Sequence, residues 1–452
     1  MNARQTEPPR SADREGTLFV TVGGSPQPIQ RALGDRTWAR VVFIATPDDP
    51  DRDQQGSRKQ VDGPGYVIAS RPNAEPDLPN FMVQFDLPSA SVDVIEVPPD
   101  DLDTAVAALR TPLAEAAAAG PSPVVADYTG GTKSMSAALA LCALDLRGVE
   151  LQLVSGPRDN LHKVHSGEAV RHAPTRGVRT RRMVELAVNA WSRYAYGEAH
   201  ELLAQIKTDL RDQLGKNDPS VRALTPLVDA SKALHAWDQH RYRDARHTFS
   251  QRFMAVPAFE PLHPAIAELA DEATRAPRVL GDLLRSAERR AARGRYDDAV
   301  ARAYRMVEWA AQWLVSHDLG VATDAVPANL VRDDVAGGEV CADGTYRGGL
   351  VFAWSLVWTH IPKAETVGFL SREHGRVTGW TWMTNLLQLR NQSFYAHGQR
   401  PIDAQDWAKF AAFLNPMMDA IAADAAARGA EARLPQLPTA PPQPWLDALV
   451  EA

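Results

Sequence analysis

The sequence predicts an α/β domain of Rossmann-like build followed by an all-helical remainder. Three observations predict it. Short apolar runs at residues 17–22, 40–45, 66–70, 92–97, 124–128 and 149–155 alternate with helix-like stretches such as 103–118 and 132–146. That alternation builds a largely parallel sheet flanked by helices. After about residue 178 strand signals nearly vanish, and residues 179–207 carry apolar side chains at helical spacing. A chain of 452 residues is also too long for one ordinary core, so two or three domains are expected.

Bulk composition narrows the function classes. No apolar run approaches the roughly 20 residues that cross a bilayer, and the amino-terminal residues lack the apolar core of a secretory signal. Cys142 and Cys341 are the only cysteines, so a reducing cytoplasm without a disulfide framework is the expected setting. Lys and Arg together number 49 against 56 Asp and Glu, and the resulting net charge of -7 offers no general attraction to a long duplex. DNA is therefore not an expected partner, and any nucleic-acid contact must be local. Residues 1–15 are polar and read as disordered, and 48–65, rich in Asp, Arg and Gly, reads as a surface loop.

The helical remainder carries a weak internal echo: Tyr196-Gly-Glu-Ala199, Tyr242-Arg-Asp-Ala245 and Tyr296-Asp-Asp-Ala299 each stand near the start of an apolar-periodic helix. Helical hairpins stacked on one another would produce it, although the uneven spacing argues against a regular solenoid. Residues 432–444 hold too many prolines for a helix and read as an extended tail.

The first chemical constellation is Val124-Val-Ala-Asp-Tyr-Thr-Gly-Gly-Thr-Lys-Ser-Met135, which passes from a buried strand through a turn with two glycines into a helix. Gly130 and Gly131 let backbone approach a ligand, the first amides of the helix point towards negative charge, and Lys133 adds a full positive one. The spacing fits neither a P-loop nor GxGxxG, which disfavours an NTPase or a dinucleotide dehydrogenase. A second loop, Gly23-Gly-Ser-Pro-Gln-Pro28, follows the first strand in the same way, with Ser25 placed to cap a helix and Pro26 in its first turn. Either loop alone reads equally well as a plain strand-to-helix connection. Together, at the carboxyl edge of one sheet, they favour a ligand.

Thr21-Val-Gly-Gly-Ser-Pro26 and Asp127-Tyr-Thr-Gly-Gly-Thr-Lys-Ser-Met135 resemble the two signature loops of CARF domains, the CRISPR-associated Rossmann-like sensors. The resemblance covers about residues 16–170. It implies a homodimer holding a cyclic oligoadenylate across its two-fold axis, with a ligand-binding set of Gly23, Gly24, Ser25, Asp127, Thr129, Gly130, Gly131, Thr132, Lys133 and Ser134. Within that set, Ser25, Thr129, Gly130, Thr132 and Lys133 are implied contacts to phosphates and riboses. The segment 155–159 is a further candidate wall of the pocket.

The second constellation is Leu389-Arg-Asn-Gln-Ser-Phe-Tyr-Ala-His-Gly398. Arg390 and His397 are seven residues apart, which on a helix returns to nearly one face about 10 Å further along, with Gly398 ending the helix. Arg can hold a phosphate with paired hydrogen bonds, and His exchanges protons near neutral pH. RNA supplies its own nucleophile in the 2′-hydroxyl, so positioning, charge stabilisation and proton transfer suffice. Spacing alone is met more often on a solvated helix face. The wider string, with Asn391 beside Arg390, resembles the Arg-Asn-(spacer)-His motif of HEPN ribonucleases. The resemblance implies that Arg390, Asn391 and His397 are catalytic and that two copies form one composite RNA-cutting cleft. Residues 294–308 resemble the first long helix of HEPN domains. Within them Arg305 and Glu308, three apart, read as a structural salt bridge before an RNA contact. The basic run of Arg285, Arg289, Arg290, Arg293 and Arg295 could steer RNA, but such runs more often form a solvated helix face.

No His-Glu-x-x-His helix or clustered cysteines suggest a metal, and His162 and His165 read as surface residues. No Asp and Glu-x-Lys pair points to a metal-dependent nuclease domain in the second half. The expected organisation is a disordered start (1–15), a CARF sensing domain (16–177), a helical linker (178–275), an all-α HEPN domain (276–428) and a Pro-rich tail (429–452). The expected function is a cyclic-oligoadenylate-activated, metal-independent endoribonuclease acting on single-stranded RNA in type III CRISPR antiviral defence, with no cofactor beyond its activator. Two rivals stay open. One is a nucleotide-responsive adaptor without nuclease activity, and the other a phosphodiesterase that degrades its own cyclic activator.

Overall fold

The computed structural model describes residues 16–34, 36–49, 55–65, 78–155, 169–249, 253, 256–375, 377–394, 396 and 398–451. The expected strand at 66–70, residues 156–159 of the candidate wall, His162 and His165 lie outside the described residues. Two compact units divide between Arg182 and Met183.

The first unit contains strands β1 (Thr17–Thr21), β2 (Arg40–Ala45), β3 (Val92–Glu96), β4 (Val124–Asp127), β5 (Val149–Ser155) and β6 (Ala169–His172). Their order in the sheet is β3-β2-β1-β4-β5-β6. All pairings are parallel except β5 with β6. Helices α1 (Pro26–Gly34), α2 (Phe81–Gln84), α3 (Leu102–Ala118) and α4 (Lys133–Asp145) join the strands. Side-chain alternation on β1 sends Phe19 to the layer with Leu109, Leu113 and Leu139, and Leu18 and Val20 to the layer with Ile29 and Leu33. Burial on both faces explains why the strand is an unbroken apolar run. β6 escapes sequence reading because its four residues lie mostly exposed at the sheet edge, where little apolar alternation is required.

The second unit is helical, with α5 (Arg176–Ser192) crossing the division between units. It continues through α6 (Tyr196–Leu214), α7 (Pro219–Asp238), α8 (Tyr242–Thr248), α9 (Leu262–Ala270), α10 (Arg278–Ala292) and α11 (Tyr296–Leu319). Then follow α12 (Leu350–His360), α13 (Glu365–Ser371), α14 (Gly379–Gln392), α15 (Ala404–Ala426) and α16 (Gln443–Glu451). Short antiparallel ladders, Glu339–Val340 with Tyr346–Arg347 and Glu373–His374 with Val377–Thr378, interrupt the helices.

The Tyr-x-x-Ala echo marks one repeated turn. In α5–α6 the amides of Tyr194 and Ala195 reach back to the carbonyls of Trp191 and Ala190. In α7–α8 those of His240 and Arg241 reach Trp237 and Ala236, and in α10–α11 those of Gly294 and Arg295 reach Ala291 and Arg290. Tyr194, His240 and Gly294 take φ of 57°, 57° and 70°, the left-handed corner of a Schellman ending. The tyrosine then opens the next helix, and Ala199, Ala245 and Ala299 are fully buried. The helical spacing over 179–207 is accordingly shared by two helices, divided at residues 193–195.

The basic run requires a correction. Arg289 is fully buried, its Nε donating to Asp238 at 2.7 Å and its Nη2 to Asp282 at 3.3 Å, and Arg290 pairs with Asp238 at 2.9 Å. Asp282 also receives Trp237 Nε1 at 3.2 Å and Tyr242 Oη at 2.8 Å. Burial pushes its carboxyl up, but hydrogen bonding from His240 and the Arg289 charge outweigh that and hold it below the ordinary range. Arg289 and Arg290 therefore face neither solvent nor RNA, while Arg293 and Arg295 are exposed as a solvated face would have them. The Pro-rich tail is free of helix over 432–442, as expected, and it is packed against the helical unit. Leu434 and Leu437 are buried, Gln436 accepts from Arg289 Nη1 at 2.9 Å, and α16 places Trp445 on Phe259.

Candidate functional site

The sheet order creates a switch point. From β1 the chain winds outward through β2 and β3, then returns to place β4 on the other side of β1. The loops leaving β1 and β4 therefore diverge from neighbouring strand ends, where open α/β sheets form ligand crevices.

Those two loops meet glycine to glycine. A methyl added at Gly23 would strike the Gly131 amide, and one added at Gly130 would strike the Thr21 carbonyl. Thr21 Oγ1 donates to the Gly130 carbonyl at 2.8 Å, and Ser136 Oγ donates to the same oxygen at 2.7 Å. Gly131, at φ +74°, turns the chain into α4. Thr132 caps that helix, its Oγ1 accepting from Met135 N at 3.3 Å and donating to the Pro99 carbonyl. Lys133 and Ser134 occupy its first turn, with Lys133 exposed. On the β1 side, Gly24 and Ser25 are exposed and Pro26 begins α1.

Not every expected contact faces a crevice. Asp127 is buried: its Oδ1 accepts from Thr129 N at 3.0 Å and its Oδ2 from Gln152 Nε2 at 3.1 Å. Burial pushes its carboxyl up. Thr129 Oγ1 accepts from Val154 N at 2.7 Å. Asp127 and Thr129 thus tie the turn to β5, and what remains outward are Gly24, Ser25, Lys133 and the amides opening α4. Thr21 and Ser136, which sequence reasoning passed over, hold the Gly130 carbonyl. Their only signal was a hydroxyl residue at each end of the loop.

In the helical unit, α14 packs Trp382, Met383, Leu386 and Leu389 into the core. Arg390 follows on its flank and Asn391 is exposed, with Arg390 Nη1 donating to Asn391 Oδ1 at 3.0 Å. The helix does not continue to residue 397, contrary to the two-turn spacing expected above, and Gly398 is not its terminator. Ser393 stops it, with its amide at 3.1 Å and its hydroxyl at 2.7 Å both donating to the Arg390 carbonyl. A hydroxyl residue competing for a backbone acceptor is a local helix-breaking device. The chain then folds back. Ala396 N and Gly398 N both donate to the Ser393 carbonyl, Arg400 N donates to the Gln392 carbonyl, and Gly398 leaves no room for a side chain against Gln392. His397 lies outside the described residues. Its two neighbours are held at the end of α14 by a compact turn rather than by helical periodicity.

Beneath Arg390 lies a residue that the sequence reading did not single out. The guanidinium carbon stands 5.0 Å from the centroid of the Tyr304 ring on α11. Tyr304 Oη donates to Glu308 Oε1 at 3.0 Å, and Arg305 Nη1 donates to Glu308 Oε2 at 2.5 Å. The expected Arg305–Glu308 salt bridge is thus present. Among the described residues, no group of three or more His, Cys, Asp or Glu side chains could hold a metal, and no helix is long and apolar enough to cross a membrane.

Residues 271–338 match the family model of the Csm6 HEPN domain. That span includes α10 and α11, with Tyr304, Arg305 and Glu308, and ends before Arg390. No curated protein sequence matches the chain. Among solved structures, Enterococcus italicus Csm6 bound to cyclic hexa-2′-fluoro-hexa-dAMP is similar at 13% identity with a TM-score of 0.45, over 91% of this chain and 94% of that one.

Proposed function

We propose, from the premise that this chain carries a HEPN domain of the Csm6 type behind a Rossmann-like sheet, that it is a cyclic-oligoadenylate-activated endoribonuclease of type III CRISPR defence. It acts as a homodimer on single-stranded RNA and uses no metal. The observation that carries the reading is the end of α14, where Arg390 and Asn391 stand at the surface and a turn keeps the neighbours of position 397 beside them. The Arg390 guanidinium neutralises charge gathering on the scissile phosphate, Asn391 orients it, and the His397 imidazole moves the proton. The RNA 2′-oxygen forms a bond to phosphorus as the bond to the 5′-oxygen breaks, leaving a 2′,3′-cyclic phosphate and a 5′-hydroxyl. At the other site, the amides opening α4, Lys133, Ser25 and the backbone of Gly24 take the phosphates of the cyclic activator. An activator that bound all arrangements of the dimer equally would change nothing, so its contacts must differ between resting and active states.

The test uses the purified full chain, labelled single-stranded RNA and EDTA, with cyclic tri-, tetra- or hexa-adenylate added in turn. Cleavage with at least one ring and cyclic-phosphate ends is the expected result. Arg390→Ala and His397→Ala are each expected to lower the rate by about 10²–10⁴-fold, the usual size of a lost proton-transfer or charge-stabilising group, while leaving activator affinity in place. Binding without cleavage under every ring would make the protein an adaptor. Loss of the ring without RNA cleavage would make it a phosphodiesterase of its own activator.

A further inference from the structure

We infer that Tyr304, tethered by Glu308, is a positioning residue for Arg390, an assignment that rests on the ribonuclease reading above. An arginine side chain at a helix end has many rotamers, and a phosphate-binding guanidinium works only in the few that face its target. In this protein the face of an aromatic ring limits that freedom. The Arg390 guanidinium carbon lies 5.0 Å from the Tyr304 ring centroid, within the range where the negative ring face attracts a cation. A flat guanidinium over a ring keeps its N–H edge directed outward, as a phosphate requires.

The ring is itself fixed. Tyr304 is only 8% exposed and Glu308 6%, on a helix whose Ala303, Val307, Ala310 and Ala311 are buried in the core. One carboxylate oxygen of Glu308 receives the Tyr304 phenol and the other receives Arg305, whose guanidinium also lies over Trp309. A buried carboxylate with both oxygens occupied is a stiff anchor. Donation of the phenol proton towards an anion also makes the ring face more negative, which strengthens its hold on the cation above. Burial, with Glu308 beside it, pushes the phenol up to about 12, so the donor keeps its proton throughout the neutral range. A tyrosine present only to fill the core would need neither the charged partner nor the arginine on its face.

The test compares Tyr304→Leu, Tyr304→Phe and Glu308→Gln in the full chain at saturating activator, each alone and on an Arg390→Ala background. Tyr304→Leu is expected to lower kcat for RNA by about tenfold or more, with a smaller change in KM and unchanged activator affinity. Tyr304→Phe keeps the ring and should recover most of the rate. Glu308→Gln, which keeps a hydrogen-bond acceptor but not the charge, should fall between. On the Arg390→Ala background none of the three should lower the residual rate further, because the group they position is gone. A general structural defect would lower both backgrounds alike, and that result overturns the inference. So does a Tyr304→Leu or Glu308→Gln protein that cleaves within twofold of the parent while Arg390→Ala is impaired. An Arg390→Ala protein as active as the parent instead overturns the ribonuclease site, and the inference falls with it.

Discussion

Replacing Arg289 by Met is expected to cost the helical unit about 3–5 kcal/mol, the usual penalty for breaking a buried ion pair from one side. The side chain is fully buried between Asp238 and Asp282, and it also supplies a hydrogen bond to Gln436 in the docked tail. Burial alone would lower the guanidinium's affinity for its proton, but the charges of Asp282 and Asp238 reverse that and raise it. Met fills most of the volume and none of the charge. Asp238 then keeps only Arg290, and Asp282 keeps only the hydrogen bonds from Trp237, Tyr242 and His240. Urea unfolding followed by tryptophan fluorescence reports on this unit, because all of the 11 tryptophans except Trp38 lie in it. A double variant that also carries Asp282→Asn should recover a good part of the loss, since it removes the carboxylate left without an arginine, whereas Asp238 still pairs with Arg290. If Arg289→Met moved the unfolding free energy by less than about 1 kcal/mol, the ordinary worth of an exposed pair, the network would not hold these helices together.

Gly23→Ala and Gly130→Ala should each abolish the response to the cyclic activator, with its dissociation constant rising by about 100-fold or more. Both glycines lie where the loops after β1 and β4 touch, and an added methyl at either meets backbone of the other loop or of β1. Backbone cannot swing aside as a flexible side chain can, so the loops must separate. Amides aimed at a common anion lose it when displaced by about 1 Å. Gly24 is the matched control: a methyl there meets nothing within 4 Å, so Gly24→Ala should keep the loop geometry and the unit's thermal midpoint. Calorimetric titration with the activating ring measures the affinities. Activator affinity in Gly23→Ala equal to that of the parent would remove the two-loop crevice from consideration.

Both chemical strings were visible in the primary structure because their signals are local. A strand running into paired glycines, a helix and a lysine needs only a dozen consecutive residues to be read; the cap that Thr132 supplies to α4 became visible only in the fold. Residues 389–398 stood out by their residue types, but their geometry was misread. The seven-residue interval matches helical period, but Ser393 turns its own hydroxyl on the Arg390 carbonyl and the chain reverses, with Arg400 closing back on Gln392. Neither a propensity nor a period contains that competition.

The arginine run shows the same limit from the other side. Five basic residues in a short run look solvated until α7 brings Asp238 against two of them. Tyr304 was likewise one more aromatic on a core-facing helix until α14 laid Arg390 across it. By itself the sequence determined where backbone could bend, which strands would be buried on both faces and which short strings set glycines or polar groups beside a basic residue, since these depend on neighbours along the chain. Tertiary structure alone decided that β4 returns beside β1 to form a crevice, which arginines are neutralised and which ring supports Arg390. Those outcomes depend on charges and contacts between segments tens to hundreds of residues apart, and no local pattern encodes them.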